Sequence, residues 1–488
     1  MPDHSARRHP PHARQRRGRG GPAYSTSTPR QRARSADPAR RAAFDALCAV
    51  AQSDAYANLV LPGMLSQRGI GGRDAAFATE LTYGTIRLQG RYDRIIELAS
   101  NRAIADLDRP VLDVLRLGAH QLLGMRVPDH AAVSQTVGLA RAACGSGPAQ
   151  LVNAVLRRIS EADLSTWLER IEAGPDPLPA TSSHPAWVIR ALRQSLAHTR
   201  AGSGDLPQLL AAHNSAPAVT LALRPGLADQ QDLPPEVTHA RYADTAYYLP
   251  AGDPGSIAAV RQARVGVQDE GSQLVAWALA QAPLTGSDSR WLDLCAGPGG
   301  KAALLASVLA ERDSAGVFVA NEVSPHRARL VEQALAPLTQ RLDVQVRVAD
   351  GREVGKVDTG QYDRVLVDVP CTGLGALRRR PESRWRRQPG DIGALGPLQR
   401  DLLSSAIEAT RPGGVIGYVT CSPHLAETAL VVDDVSKRHD VELIDAVQLV
   451  QTVSREPVPG LEGPYVQLWP HRHHTDGMFL ALLRRGRG

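Results

Sequence analysis

The sequence predicts a multidomain protein in which an all-α domain precedes a doubly wound α/β domain. Two observations support this prediction. Apolar residues recur at three- and four-residue spacing from Asp37 to about Ile159, a pattern typical of amphipathic helices that share a core. After Pro254, strand-like apolar runs alternate with helical segments, which is typical of a parallel sheet covered on both faces. A chain of 488 residues is also long enough for two or three hydrophobic cores.

The first predicted element is a basic tail over residues 1–36. It holds nine arginines against one aspartate, a local charge of +8, so the other 452 residues sum to −2 of the total of +6. Because a segment rich in Arg, Gly, Pro, Ser and His buries little apolar surface, we expect it to be disordered. It is either a solvated leader or an electrostatic arm for nucleic acid, and the sequence leaves both interpretations open.

An α-helical domain is predicted over residues 37–165. Its periodic segments read RRAAFDALCAVAQ, RPVLDVLRLGAHQLLGM and QLVNAVLRRI, and the glycine-rich stretches RGIGGRD and CGSGP indicate turns between helices. Residues 166–255 are interrupted by proline-rich stretches around one β-like run, AVTLALRP. We interpret them as a connecting subdomain whose fold the sequence does not assign.

The α/β domain is predicted over residues 256–488. Its strand-like runs are RWLDLC, VFVANEV, VQVRVAD, DRVLVDVP and VIGYVTC. In a sheet of this kind ligands bind beyond the carboxyl ends of the strands. The residues at the end of each run are therefore the candidates for a functional site.

The first run leads into a glycine-rich turn, DLCAGPGGKAALL, at residues 293–305. Such a turn lets the backbone approach a ligand, and the helix that follows offers free N–H groups. A Walker loop would need glycine in place of Cys295 and a hydroxyl in place of Ala302, and the third glycine of a dinucleotide fingerprint comes too early. The turn fits S-adenosylmethionine, whose amino-acid end needs no phosphate cradle, or else it is simply a tight strand–helix connection.

Carboxylates stand at the ends of the next two strand-like runs. Glu322 could accept hydrogen bonds from a ribose, and Asp350 is placed for an adenine amino group. Each acid alone is more often an N-cap. Acids or turns at three consecutive strand ends favour a nucleoside-containing cofactor.

Thiols stand at the ends of the fourth and fifth runs. Asp368 and Cys371 lie in VDVPCTG, and Cys421 lies in YVTCS. A buried cysteine is most often a small apolar side chain. Two strand-end thiols beside an acid can instead face one cleft, which favours a chemical role.

These motifs together resemble a known enzyme family. DLCAGPGGK, ADGR, DVPCTGLGALRRRPESRWRR and YVTCS resemble the ordered motifs of the RsmB/Sun (Fmu) family of RNA cytosine-C5 methyltransferases, and HAAVSQTVGLAR and LVNAVLRRI resemble the NusB-like RNA-binding domain of its members. The resemblance spans about residues 37–485. It implies a Rossmann-like methyltransferase domain with a mostly parallel seven-stranded sheet, S-adenosylmethionine as cofactor, and 16S ribosomal RNA as substrate.

The resemblance also implies residue roles. Cys421 would attack C6 of the cytosine, Cys371 would aid product release, and Asp368 would contact the base. The residues that would hold the cofactor are Cys295, Ala296, Gly297, Pro298, Gly299, Gly300, Lys301, Glu322, Asp350 and Asp368. After the TCS motif the family often has Glu-Asn-Glu, whereas this chain keeps only Glu427, so the role of those acids stays open.

An arginine-rich segment, residues 378–387, follows the Pro-Cys motif. Because it comes directly after a predicted catalytic loop, we expect contacts with the RNA backbone rather than a merely solvated charge run. The candidates are Arg378, Arg379, Arg380, Arg384, Arg386 and Arg387. The HRHH run at residues 471–474 lacks the carboxylate–His spacing of a metal site, so no metal is expected.

We expect a cytoplasmic, monomeric enzyme that acts on RNA and not at a membrane. The five cysteines show no C-x-x-C spacing, which fits reduced thiols, and no apolar run approaches the length of a membrane span. The alternatives are a tRNA cytosine-C5 methyltransferase, a DNA cytosine methyltransferase and a non-catalytic NusB-like RNA-binding factor. The second thiol and the helical domain disfavour the DNA enzyme, and the complete motif set disfavours the binding factor.

Overall fold

The computed structural model describes residues 36–52, 56–198, 203–250 and 252–487. The predicted basic tail, apart from Ala36, lies outside these residues. Within the described ranges, no helix has both the length and the apolar character needed to cross a membrane.

The N-terminal part is a helical bundle. In the described portion of residues 36–161 its helices are α1 (Pro38–Gln52), α2 (Ala57–Gln67), α3 (Gly72–Arg87), α4 (Gln89–Ser100), α5 (Arg109–Leu123), α6 (Asp129–Cys144) and α7 (Ser146–Ile159). The three periodic segments quoted above form α1, α5 and α7. Helix α5 is the centre of the bundle, since even its Arg116 is buried and pairs with Asp93 and Asp113 at 2.6 and 2.8 Å.

The described part of the segment that follows combines five α-helices with a small antiparallel sheet. Its elements are α8 (Leu164–Glu172), α9 (Leu178–Ser182), α10 (Ala186–His198), α11 (Leu206–His213), β1 (Val219–Leu223), β2 (Thr238–His239), β3 (Ala246–Leu249), α12 (Ala258–Arg261) and β4 (Val265–Val267). The strand order is β2-β3-β1-β4. The sheet crosses the predicted boundary at residue 255 because β1 pairs with β4, with Leu221 opposite Val267. Because β1 and β4 are distant in sequence, no local sequence pattern predicts that they pair.

The C-terminal part is the predicted α/β domain. Its strands are β5 (Arg290–Asp293), β6 (Val317–Asn321), β7 (Asp343–Arg347), β8 (Tyr362–Asp368), β9 (Thr410–Thr420), β10 (Val441–Ile444), β11 (Val466–Gln467) and β12 (Phe479–Arg485). The order is β10-β12-β9-β8-β5-β6-β7, with the two-residue β11 beside β12. Strands β5 to β9 pair in parallel, and β12 is antiparallel to β9 and β10. The predicted fold class is confirmed.

Helices cover both faces of this sheet. The described helices of this part of the chain are α13 (Glu270–Gln281), α14 (Gly300–Arg312), α15 (Pro325–Leu335), α16 (Gly351–Val357), α17 (Ser383–Arg386), α18 (Pro389–Ala409), α19 (Ala429–Ser436), α20 (Ala446–Val453) and α21 (Pro470–His473). Trp291 and Leu292, which are adjacent in β5, belong to different core clusters, because successive strand residues point to opposite faces. The sheet is therefore buried on both sides, and its functional groups are confined to the edge where β5 to β9 end.

Candidate active site

The glycine-rich turn joins β5 to α14 at the carboxyl edge of the sheet. Gly299 has φ of +110°, a conformation that residues with a Cβ rarely adopt, and α14 begins directly after it. A Cβ at Gly297 would overlap the Glu322 carboxylate. Glycine at this position therefore allows an acid from the next strand to lie against the turn.

Glu322 is buried directly after β6. Its carboxylate accepts hydrogen bonds from the N–H groups of Gly297 and Ser324, both at 3.0 Å, which fix its orientation. The next residue, Val323, is 65% exposed. The structure thus places an oriented carboxylate and an exposed apolar side chain next to the glycine-rich turn.

Asp350 lies beyond β7 and caps helix α16. Its side chain accepts from the Arg352 N–H at 3.0 Å and pairs with the Arg352 guanidinium at 2.6 Å. Because the Asp350 carboxylate already caps α16, a ligand that contacts it has to share it with Arg352.

Asp368 and Lys301 form an ion pair between the end of β8 and the start of α14. The Lys301 Nζ lies 2.7 Å from Asp368 Oδ2. Burial disfavours the ammonium group, but the charge and hydrogen bond of Asp368 outweigh it and raise the pKa of Lys301. This ion pair therefore connects two motifs that are separate in the sequence, the glycine-rich turn and the Pro-Cys motif.

Asp293, the last residue of β5, was not singled out from the sequence although it lies in the quoted turn motif. It is buried, and the Cys295 N–H donates to its Oδ1 at 3.3 Å. Burial, and then the charge of Asp368, raise the pKa of Asp293 to about 8. Strand-end position was the available signal, since it had already selected the acids on the neighbouring strands.

The two strand-end thiols are in contact. The Sγ atoms of Cys371 and Cys421 lie 3.4 Å apart, and both residues are half-buried. They meet because β8 and β9 are neighbours in parallel register, with Asp368 opposite Val419. Sequence reasoning predicted that the two strand ends face each other, and the structure brings the two Sγ atoms into contact.

The environment makes these thiols unequal. The hydrogen bond from Cys371 lowers the pKa of Cys421, although burial opposes the shift, and the positive charges of Arg380 and Lys301 assist it. The same hydrogen bond, together with burial, raises the pKa of Cys371 well above its usual value. The contact between the thiols therefore favours ionisation of Cys421 over ionisation of Cys371.

The arginine-rich segment differs most from its predicted role. Arg384 is fully buried, and burial lowers its pKa to about 9. Its guanidinium donates to oxygen atoms of Arg87, Ser183, His213, Asn214 and Leu377. Trp385 donates to Ile86 O at 3.2 Å. The segment joins the α/β domain to the helical part of the chain.

The other five arginines of the segment divide into three groups. Arg378 and Arg379 pair with Asp269 and Asp476 at 2.7 to 3.2 Å. An RNA contact is therefore wrong for Arg384 and Arg378, because both side chains are buried in such contacts. Arg386 donates to Val50 O at 2.6 Å, whereas Arg380 is exposed and Arg387 is partly exposed. RNA contacts by Arg379, Arg380, Arg386 and Arg387 stay predictions.

The histidine-rich run near the C-terminus is tied into the protein. His471 lies 3.1 Å from an oxygen of Asp205, and His473 accepts from the Trp469 N–H at 2.7 Å. Over the described ranges of the chain, no group of three or more His, Cys, Asp or Glu residues is placed to hold a metal ion.

Family comparisons match both halves of the chain. The model of the family 16S rRNA methyltransferase RsmB/F matches residues 281–484, and the model of the NusB family matches residues 37–161. The second match falls on the helical bundle. The first covers the strands and motifs of the α/β domain from just before β5 to the end of β12.

Similar proteins extend over nearly the whole chain. A putative methyltransferase of Mycobacterium tuberculosis strain H37Rv is 53% identical over 469 residues, covering 94% of this chain and 99% of the relative. Ribosomal RNA small subunit methyltransferase B of Pseudomonas syringae pv. tomato is 30% identical, covering 91% and 96%. The crystal structure of PH0851 aligns with a TM-score of 0.74 at 21% identity, covering 92% of this chain and 99% of that one, which supports the fold.

Proposed function

The chain belongs to the 16S rRNA methyltransferase RsmB/F family, and from this premise we propose that it methylates C5 of a specific cytosine in 16S ribosomal RNA, using S-adenosylmethionine. It is an RNA methyltransferase with an N-terminal NusB domain. The observation that carries the finer proposal is the pair of thiols, 3.4 Å apart, at the sheet edge that also holds Asp368.

A thiolate is what this chemistry needs, because C5 of cytosine is a poor nucleophile. Attack of Cys421 Sγ at C6 forms an S–C6 bond and moves the C5–C6 π electrons towards C5. When bound, S-adenosylmethionine supplies the methyl group that C5 takes up. Loss of the C5 proton then restores the C5–C6 double bond and expels Cys421 as a thiolate, so the enzyme is regenerated.

Cys371 is assigned to the second half of this sequence. It is a thiol within hydrogen-bond reach of Cys421, so it can hold or return a proton there while product leaves. Its raised pKa keeps it a donor in the free enzyme. The two thiols therefore have different tasks, with Cys421 attacking and Cys371 aiding release.

Asp368 is assigned to the target base. Lys301 engages its Oδ2, so Oδ1 is the oxygen that would accept a hydrogen bond from the cytosine. A carboxylate near N3 and the amino group can stabilise the adduct by hydrogen bonding. The base must leave its stack to reach this cleft.

The residues around the glycine-rich turn fit S-adenosylmethionine. The buried, oriented carboxylate of Glu322 suits ribose hydroxyls, and the exposed Val323 beside it offers an apolar surface for an adenine ring. The turn at residues 295–301 would hold the amino-acid end through backbone polar groups. Asp350 would reach the adenine amino group while still bound to Arg352.

The test of this proposal is methyl transfer by cysteine variants. With labelled S-adenosylmethionine and 16S ribosomal RNA, Cys421→Ala is expected to abolish transfer because it removes the sulfur atom that forms the S–C6 bond. Cys371→Ala is expected to accumulate an RNA–protein adduct that survives denaturing electrophoresis, because release is impaired. Cys144→Ala, a half-buried thiol of α6, is the matched control and should behave as the wild type.

Full activity of Cys421→Ala would overturn the assignment of the nucleophile. Parallel reactions with transfer RNA decide the substrate, since label in transfer RNA alone would replace the ribosomal substrate by the tRNA alternative. An enzyme that fails to bind S-adenosylmethionine in equilibrium dialysis would favour the non-catalytic RNA-binding factor.

A further inference from the structure

Glu427 is a fully buried carboxylate whose role the sequence left open. It lies six residues after Cys421, between β9 and α19, with a relative exposure of 0%. None of the ion pairs found among the described residues includes it. A buried carboxylate without a cation is costly unless hydrogen bonds satisfy it, so its donors indicate what it is for.

The donors come from the residues directly after the two thiols. Thr372 donates through its N–H at 2.7 Å to Oε1 and through its hydroxyl at 2.5 Å to Oε2. Ser422 donates through its hydroxyl at 2.6 Å to Oε2. One carboxylate therefore bonds the neighbour of Cys371 and the neighbour of Cys421 at the same time.

A third donor anchors this bridge on a long helix. The amide of Gln399, in α18, donates to Glu427 Oε1 at 3.3 Å and to Pro370 O at 2.9 Å. The Gly375 N–H also donates to Cys421 O at 2.9 Å. The loop after β8 is thus held to the loop after β9 by side chains on one side of the thiols and by backbone on the other.

Glu427 does not reach the reacting base itself. Its four hydrogen bonds are all internal and it has no exposed surface, so it acts through other residues. Its negative charge also disfavours a second charge on Cys371. The hydrogen bonds of Glu427 thus hold the two loops together, and its charge disfavours ionisation of Cys371.

We propose that Glu427 is a positioning residue that clamps the Cys371 loop to the Cys421 loop and so fixes the two thiols at hydrogen-bonding distance. The inference rests on the proposed roles of the two cysteines. It adds a residue outside both thiol motifs to the machinery of the reaction.

The test compares Glu427→Gln with Glu442→Gln in the full chain. The amide keeps the shape of Glu427 but has no charge and one acceptor oxygen. The NH2 group therefore faces either the donors to Oε1, the Thr372 N–H and the Gln399 amide, or the donors to Oε2, the hydroxyls of Thr372 and Ser422. Glu442 is the matched control because its side chain is 68% exposed on the edge strand β10. Each protein is alkylated with iodoacetamide across a pH series, without RNA or cofactor, and mass spectrometry measures Cys421 and Cys371 separately.

In Glu427→Gln we expect the ratio of Cys421 to Cys371 alkylation at neutral pH to fall about tenfold, the effect of losing hydrogen bonds to a charged group. We expect kcat for methyl transfer to fall about as much, with KM for RNA within about twofold, because the clamp acts on the reacting thiols and not on RNA binding. Glu442→Gln should match the wild type in both measurements. Ser422→Ala, which removes one donor and little volume, should lower the ratio about threefold and serves if the glutamine variant does not fold.

Unchanged alkylation ratios in Glu427→Gln and Ser422→Ala would overturn the proposal, whatever their activity. Failure of the proposed function would give a different experimental result. If the wild-type protein methylates no RNA but Glu427→Gln still lowers the ratio of Cys421 to Cys371 alkylation, the methylation proposal is wrong and the positioning role of Glu427 is supported.

Discussion

Cys371 and Cys421 are identical side chains that their surroundings make different. The contact between their Sγ atoms lowers the pKa of Cys421, and the nearby charges of Arg380 and Lys301 act in the same direction. Since the thiolate is the nucleophile, these surroundings support the proposal that Cys421 is the attacking group. The Pro-Cys pair considered without Cys421 would have indicated Cys371 as the attacking group.

Replacing the donor should move the titration of the acceptor. In Cys371→Ala the hydrogen bond that lowers the pKa of Cys421 is lost, so that pKa rises and less thiolate is present at a given pH. We expect the midpoint of Cys421 alkylation against pH to move upward. Cys48, whose pKa burial raises to about 11, provides an internal reference that should not move.

Cys371→Ser separates the hydrogen bond from other effects of the substitution, because its hydroxyl can still donate to Cys421. Its midpoint should lie closer to that of the wild type than to that of Cys371→Ala. If the alanine variant titrates like the wild type, the thiol contact does not set the reactivity of Cys421.

At the scale of elements, local patterns predicted what local forces determine. The strand ends that carry Glu322, Asp368 and Cys421 were found from apolar runs, because a strand buried on both faces has to be continuously apolar. Strand order could then be used to infer that the thiols meet. The role of the arginine-rich segment, which was predicted from its composition and its place after the Pro-Cys motif, was predicted less well.

The arginine-rich segment shows why the remainder could not be predicted. A run of arginines after a catalytic loop looks the same whether its side chains face RNA or the protein. The position of Arg384 depends on backbone carbonyls about 170 to 300 residues away in sequence, and such partners leave no local signal. Glu427 was likewise visible as an acid, but its donors are known only from the fold.

The docking of this segment on α4 gives a test of the domain contact. A Cβ at Gly90 would lie 2.5 Å from the Trp385 ring, and the ring is held by its bond to Ile86 O. We expect Gly90→Ala to lower the free energy of unfolding by about 1–3 kcal/mol through overpacking. Urea denaturation of the full chain, followed by circular dichroism, measures it.

Gly138→Ala in α6 is the matched control. A Cβ there meets nothing within 4 Å, so the higher helix propensity of alanine should raise the free energy of unfolding by about 1 kcal/mol. A lower free energy of unfolding for Gly90→Ala together with a higher one for Gly138→Ala would indicate that Trp385 packs on α4. Stabilisation of both would mean that Trp385 does not pack on α4.

At the scale of the whole molecule, charge is divided unevenly along the chain. The basic tail, residues 1–36, carries +8 and the remaining residues −2, so removing the tail reverses the sign of the net charge. Nearly all of the described residues belong to the part with the slightly negative balance. Long-range attraction of RNA should therefore depend on the tail, whereas methyl transfer depends on the site between β5 and β9.

Deleting residues 1–36 is accordingly expected to weaken RNA binding and leave kcat at saturating RNA unchanged. Because counterion release scales with the number of phosphates neutralised, the slope of log K against log salt should become shallower by up to about six units for nine arginines on single-stranded RNA. Fluorescence anisotropy with a labelled 16S fragment at several salt concentrations measures this slope. Replacing all nine arginines by lysine should preserve it, and replacing them by glutamine should reproduce the deletion. An unchanged slope after deletion would assign the electrostatic contact to the folded part of the chain, with Arg380 and Arg387 as the first residues to substitute.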